Sequence, residues 1–505
     1  MLAVRRGLIL PVVLFVLLLL ALLAAQFAFR VNADLASTRA VHYRMQTRLA
    51  AEAGVEVIKL VLRDARLDMG RWWHNPDEFH RIVVWAYDGD STVWGTNEVF
   101  EEETMAYRFS IVADDPTDDL RYVRYGITDE SSKLNLNVAG ESQLLTLLNA
   151  VVGDDEEIDP QAIVDAILDW RDQDAEPRGK ARDTEGEYYR SLDKPYRVKN
   201  GPFDTVEELL LVKGVTARIL FGEDFDRNGL LTTSEDDGDE LFPPDDRDGA
   251  LNRGLYPFLT VHSYESNVSN DNRARIDLFS SSEDVRDKLG RIFEDEPEVV
   301  EFIANVTGVN FNYDDDSWDN NDENTPVMIR TPASLLRARL LVPTSMGPMV
   351  HPSASNPLTL DHLPILMDRT TVRSEHRRAG LININTAPPL VLRTLPVLTD
   401  DEIATIVELR ESLTEEGKAT TAWLVTEGIL PLQRYERLAR YITSRGQQFT
   451  IESLGYADHV GTVTRLQVIV DTVGPIPQTL YYRDLSRLGA RFPIREKHQV
   501  RFRIE

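Results

Sequence analysis

The chain has 505 residues, 83 of them acidic and 55 basic, for a net charge of −28, and no cysteine. Such a charge repels nucleic acid and anionic surfaces, and the missing thiols exclude disulfides, thiolate nucleophiles and Cys-ligated zinc. A hydrophobic share of 42% is enough for two or three packed domains.

The first element is an anchor. Leu8 to Phe29 contains no charged side chain, and Arg5 and Arg6 stand just before it. As a helix at 1.5 Å per residue it spans roughly 33 Å, enough for a bilayer core of about 30 Å. The basic flank puts the N-terminus in the cytoplasm and residues 30–505 outside it. A cleaved signal peptide would show a shorter apolar core and a small-x-small site after it. The short basic leader that ends at Gly7 resembles the leader of type IV pilins and pseudopilins. The resemblance implies cleavage between Gly7 and Leu8 by a prepilin peptidase, with methylation of the new N-terminus. Pro11 then falls in the first helical turn, where its missing N–H costs little.

From Arg30 to about Asp68 apolar residues recur at helical spacing, with Leu35, Val41, Met45, Leu49, Val55, Ile58 and Leu62 among charged ones. The anchor and this segment predict one long helix. After Gly70 the texture turns β-branched and aromatic. Strands are predicted over 81–87, 105–112 and 121–127, with a short one at 92–94. Helices follow over 141–152 and 159–171.

An internal repeat then appears. Lys133-Leu-Asn-Leu-Asn137, Arg275-Ile-Asp-Leu-Phe279 and Leu381-Ile-Asn-Ile-Asn385 each precede a pair of helical stretches. Two copies carry a further helix start, at Asp204-Thr-Val-Glu207 and Thr331-Pro-Ala-Ser334. The first has the spacing of a capping box. Leu211-Val-Lys-Gly214-Val215 resembles a helix-hairpin-helix turn, a module that elsewhere binds DNA phosphates. The acidic surround argues for packing here and against nucleic acid. Alternating patterns over 446–452 and 461–471 predict strands again, so the helical part is inserted into one β-sheet domain.

The chemistry concentrates in acidic loops. Asp224-Phe-Asp226-Arg-Asn228-Gly229-Leu230-Leu-Thr232-Thr-Ser-Glu235 fits D-x-[DN]-x-[DN]-G-x5-E without a gap. Oxygen ligands at positions 1, 3, 5, 7, 9 and 12, with Gly at 6, are what calcium requires. The expected ligands are Asp224, Asp226, Asn228, the Leu230 carbonyl, Thr232 and Glu235, and the expected cofactor is calcium. Between Glu223 and Gly249 eleven acidic residues face two arginines, so without a cation the loop repels itself. Asp245, Asp246 and Asp248 offer a second, poorer site. Asp169, Asp172 and Asp174 with Glu187 form another carboxylate group, suited to holding a cation, capping helices or acid–base work. The run 312–324 is acidic without ligand order. No Walker A loop, H-E-x-x-H or G-x-S-x-G is present, and a non-enzyme is expected.

These features together resemble the protein K family of large minor pseudopilins of type II secretion systems. The residues that carry it are the Arg5-Arg6-Gly7 junction and its apolar helix, Asp129–Asn137, Ile167–Asp174, Glu187-Tyr-Tyr189, Asn200–Phe203 with Glu207–Leu210, and Ile382–Pro388. The resemblance implies an α+β fold: a pilin-like long N-terminal transmembrane helix with an antiparallel β-sheet, plus a large inserted α-helical domain with helix-hairpin-helix-like repeats. The segments are a leader at 1–7, the transmembrane helix at 8–29 and its amphipathic continuation at 30–68. The first part of the β domain is 69–137, the inserted domain 138–440 with the acidic loop 223–249, and the C-terminal β part 441–505. An extra repeat around 270–345 and the calcium loop depart from the family pattern. The resemblance further implies a single-pass protein of the bacterial inner membrane with its bulk in the periplasm. Its partners would be other minor pseudopilins, the inner-membrane secretion platform and the prepilin peptidase. Shaft pilins carry Glu at mature position five; here that position is Val12. The rival classes are a membrane-anchored calcium-binding envelope protein or enzyme, and a DNA-uptake protein.

Overall fold

The computed structural model describes residues 9–87, 92–96, 105–114, 123–153, 158–174, 176–178, 185–238, 245, 247–307, 328–344, 347–350, 355–458 and 460–491. Helix α1 (Ile9–Ala65) is unbroken, roughly 85 Å long at 1.5 Å per residue. Pro11 lies in its first turn, where the missing donor has no helical partner. From Leu10 to Val41 its large apolar side chains are exposed. That composition and length fit a single-pass membrane anchor. From Thr47 onward one stripe, Ala50, Ala51, Val55, Ile58 and Leu62, is buried.

That stripe lies on an antiparallel sheet. Its main strands are β1 (Ile82–Tyr87), β2 (Thr92–Thr96), β3 (Met105–Asp114), β4 (Gln448–Ala457), β5 (Val463–Asp471) and β6 (Gln478–Asp484). The order is β6-β5-β4-β3-β1-β2. The chain leaves the sheet after β3 and returns beside it in β4, with Ile111 opposite Ser453 and Phe109 opposite Gly455. Val55, Ile58 and Leu62 of α1 pack with Phe109, Ile111, Phe449, Ile451, Val468 and Val470 on one face. Gly455 is required there, because a Cβ would collide with the Thr47 carbonyl of α1.

One predicted strand is not found as drawn. Of the described residues within 121–127 only Val123–Arg124 pairs, with β3, and Thr128–Asp129 pairs with β4. Residues 125–127 fold against Trp72 and Trp73. Asn75 donates its amide to the Tyr125 carbonyl at 2.8 Å, and Ile127 donates to Trp72 at 3.1 Å. The buried Arg124 guanidinium caps the carbonyls of Asp114, Trp73 and Ile127.

The repeat is present three times, as a unit closed by a short parallel bridge. Leu134–Asn135 pairs with Leu259–Thr260, Ile276–Asp277 with Thr370–Thr371, and Ile382–Asn383 with Ile442–Thr443. In each opening strand the second side chain accepts from the amide two residues on: Asn135 from Asn137, Asp277 from Phe279, Asn383 from Asn385. In each closing strand a threonine hydroxyl does the same for His262, Arg373 and Arg445. Short Asn, Asp and Thr side chains suit this role because they reach their own backbone. The second unit thus runs on to Thr371, beyond the 270–345 expected. Helices start where the sequence puts their caps: Asp159 accepts the Gln161 and Ala162 amides ahead of Pro160–Arg171, and Ser281 accepts that of Asp284. The expected cap at Asp204 differs. Residues 206–211 form a 3-10 helix, and Glu208, not Glu207, receives the Asp204 amide, at 2.9 Å. The first and third units share one core, while the second has its own around Leu278, Leu289, Phe302 and Ile303.

Candidate metal centre

The calcium-type loop follows the short helix Ala217–Phe221, which ends at Gly222 with φ of +63°. Arg227 and Gly229 both have positive φ, so the loop coils tightly. Carboxylate oxygens of Asp224, Asp226 and Glu235 lie within 4.8 Å of one another. Backbone amides hold the loop in place: Gly229 donates to Asp224 Oδ2 at 3.0 Å, Asn228 to Asp226 Oδ1 at 2.9 Å, and Leu230 to Asn228 Oδ1 at 2.6 Å. Thr232 donates its amide and hydroxyl to Glu235 Oε2, at 3.0 and 2.6 Å.

Two observations fit a hard cation. Asp224 Oδ1 is buried and has no hydrogen-bond partner, a costly state for an acceptor. Burial pushes the Glu235 carboxyl up to about 7, and Asp226 and Asp224 add to it. Asp226 is raised as well, first by burial. Three carboxylates crowded together, with Glu235 and Asp226 both raised, are what a divalent cation relieves. The six expected ligands therefore suit calcium by residue type, and the structure brings the three carboxylates among them together.

The other expected carboxylates do something else. Asp169 accepts the Arg178 amide at 3.1 Å, and Asp172 lies 3.4 Å from the Arg178 guanidinium. Asp174 accepts the Glu176 amide at 3.0 Å, and Glu187 is exposed. Asp245 accepts the amides of Asp237, Gly238 and Arg247, and Asp248 that of Ala250. Among the described residues these form no further group of three metal-ligand side chains. Asp246, and the processing residues Gly7 and Leu8, lie outside the described residues, as does the whole acidic run 312–324.

Sequence reasoning missed what lies beneath the loop. Arg253 donates to Asp224 Oδ2 at 3.1 Å and lies 2.9 Å from Asp114 Oδ1. Arg491 pairs with both Asp114 and Glu452. Arg465, only 2% exposed at its side chain, pairs with Glu452 and caps the carbonyls of Asp226 and Arg227. Burial alone would push Asp114 up; Arg253 and Arg491 overcome it and hold the carboxyl well below the usual range. No clear signal marked them in the sequence, because Glu452 of β4 and Arg465 of β5 sit among alternating polar residues such as Thr450 and Gln467.

The motifs of the first unit interlock without any ligand. Asn137 and Phe203 exchange two hydrogen bonds, at 3.0 and 2.7 Å. Trp170 donates to Glu208 at 2.9 Å and meets Tyr189 edge-on at 5.5 Å. Arg171 caps the carbonyls of Leu136 and Ala139.

Residues 126–221 match the family model for type II secretion system protein K. No curated protein matches the chain. Among solved structures, the crystal structure of the GspK-GspI-GspJ complex from the enterotoxigenic Escherichia coli type 2 secretion system is similar at a TM-score of 0.39 and 10% identity, over 88% of this chain and 98% of that one. The family match spans the motifs from Asp129 to Leu210 and not Ile382–Pro388. Over that segment the resemblance read from the sequence is borne out: residues 126–221 are similar to type II secretion system protein K.

Proposed function

We propose that this protein caps the tip of a periplasmic pseudopilus and helps to initiate its assembly for protein export, without repeating along the shaft. The observation that carries this reading is α1: its apolar half presents Val12, fully outside any packing within the chain, where a shaft pilin presents Glu. A buried carboxylate at that depth needs a partner on the next subunit. A subunit without it makes no such demand on a neighbour above. The head is also far larger than a stacking subunit requires, because three bridged units are inserted between β3 and β4. In this reading the partners are other minor pseudopilins and the inner-membrane platform, and a prepilin peptidase cuts after Gly7. Calcium would be held by Asp224, Asp226, Asn228, Thr232, Glu235 and the Leu230 carbonyl. It would neutralise the crowded carboxylates and fix the loop between the inserted domain and the sheet.

The test is position. Gold-labelled antibody against the second unit should mark one end of each pseudopilus, and Val12→Glu should impair assembly or leave it unimproved. Decoration along the whole filament sinks the tip placement.

A further inference from the structure

A second cavity lies where the second and third units meet, away from the calcium loop. It holds about 90 Å³, less than sites for drug-sized molecules and suited to one small polar group. Its charge runs against the rest of the molecule. Six arginines line it, Arg275, Arg330, Arg373, Arg378, Arg440 and Arg445, against two carboxylates, Glu265 and Asp368. A net +4 is concentrated there in a chain whose total is −28.

The two carboxylates are already engaged. Glu265 accepts from Arg445 Nη2 at 2.7 Å and from Arg275 Nη2 at 3.0 Å. Asp368 accepts the Asn270 amide at 2.8 Å and lies 3.2 Å from the Arg369 guanidinium. Arg378 makes no side-chain hydrogen bond or ion pair among the described residues; it stands in the strand pairing opposite Glu265. Arg440 has only a ring contact, 5.9 Å from the Tyr441 centroid. Burial and the neighbouring Arg373 and Arg440 depress Arg378 to about 10. Like charges that outnumber the acceptors in a concavity raise the local concentration of anions.

We propose that this cavity binds a phosphate group, with the forks of Arg378 and Arg440 as its principal donors. A carboxylate has two oxygens and is satisfied by one guanidinium fork; a phosphate offers oxygens to several and carries up to two charges against the excess of arginines in the lining. The extra second unit thereby acquires a task, since its Arg275 and Arg330 build one wall and the third unit's Arg440 and Arg445 the other.

The test uses the full-length chain in an uncharged detergent, titrated with inorganic phosphate at constant ionic strength, with chloride and acetate as controls. Sulfate, which leaves calcium in solution, serves as a parallel tetrahedral probe. Phosphate should bind saturably and raise Tm above the chloride baseline, and acetate should not. Arg378→Gln with Arg440→Gln should weaken phosphate binding about tenfold or more. Arg378→Gln alone should keep the Tm of the parent in chloride, because it removes a like-charge contact, while losing most of the phosphate response. If it fails to fold, Arg440→Gln carries the same readout. Glycerol 1-phosphate separates the sources: equal binding points to an esterified phosphate such as a lipid headgroup, and binding of inorganic phosphate alone points to the free ion. A phosphate response no larger than that of chloride, or one unchanged in the double variant, overturns the proposal.

Discussion

Arg465→Met isolates the tie between the calcium-type loop and the sheet. Arg465 is among the largest fully buried side chains and pairs with Glu452 while capping the carbonyls of Asp226 and Arg227. Methionine keeps much of the stem volume and removes every donor. Breaking a buried pair from one side costs about 3–5 kcal/mol. Glu452 keeps Arg491 as a second partner, which places this pair at the lower end. Two carbonyls lose a charge-assisted donor, at about 1 kcal/mol or more each. The expected loss is therefore about 5 kcal/mol in guanidinium unfolding of the full chain. A second signature is local: the loop 223–249 should be cut faster by a protease, and added calcium should recover less than it does in the parent. The control is Arg48→Met, whose ion pair with Glu52 is exposed and should cost less than about 1 kcal/mol. A variant Arg465→Met that unfolds at the parent's midpoint, with an unchanged cleavage rate, would refute the idea that the loop is anchored through this side chain.

Calcium removal should lower Tm, and Glu235→Ala should remove the calcium response; a cation bound only by the folded form stabilises by about 2.7 kcal/mol at a hundredfold excess over Kd, and no change in Tm or in loop cleavage would sink the site. Acidity should act through two buried carboxyls of opposite sign. Asp129, pushed up to about 6 mainly by burial, contributes stability that is lost as pH rises through 6. For Glu265, burial is overcome by Arg275 and Arg445, which hold it down to about 2. Its contribution is present above its unfolded value and is lost as pH falls towards 2. Melting curves should therefore fall from about pH 4 to 6 by up to about 3 kcal/mol, and Asp129→Asn should flatten that slope; a parent curve already flat over this range would contradict it. Mass spectrometry of the mature chain should find Leu8 at the N-terminus, carrying a methyl group; a start near residues 24–26 would mean an ordinary signal peptide.

What the sequence made legible followed simple periods. The apolar run and the 3.6-residue stripe after it specify α1, and Pro11 does not interrupt it because it falls in the first turn. The openings of the repeat were visible because Leu-Asn-Leu-Asn, Ile-Asp-Leu and Ile-Asn-Ile-Asn alternate an apolar residue with Asn or Asp. Their closings were not: Leu259–Thr260, Thr370–Thr371 and Ile442–Thr443 are two-residue strands with no period to read. In the calcium-type loop, the meeting of Asp224, Asp226 and Glu235 was legible because a calcium-type motif fixes residue type at each position. The ions beneath it were hidden by strand alternation, which reads Thr450, Glu452, Arg465 and Gln467 as a solvent-facing row. In the structure Thr450, Glu452 and Arg465 are buried and Gln467 is partly so, because the inserted domain lies over that side. One face of the sheet carries α1 and the other carries the calcium loop.

This double coverage bears on how the molecule would transmit load. On the α1 side the contact is apolar and close, with Gly455 letting the helix backbone lie against β4. On the other side it is polar: Arg465 and Arg491 meet at Glu452, and Arg491 and Arg253 meet at Asp114. Apolar packing tolerates small slides, whereas a buried ion pair is directional and costs several kcal/mol when one partner is lost. β3 and β4 supply Asp114 and Glu452, and they are the strands from which the inserted units leave and to which they return. The bridges then close each unit on itself, and Asp129 ties the first unit to the third by accepting from Asn383 at 2.7 Å and Thr386 at 2.9 Å. A displacement of α1 along its axis would thus reach the first and third units through β3 and β4, while the second unit, with its own core, is joined to them at the arginine cavity. Ala333 and Leu363 of the second unit also enter the core of the other two, so an anion held at that junction would add a polar tie to an apolar contact.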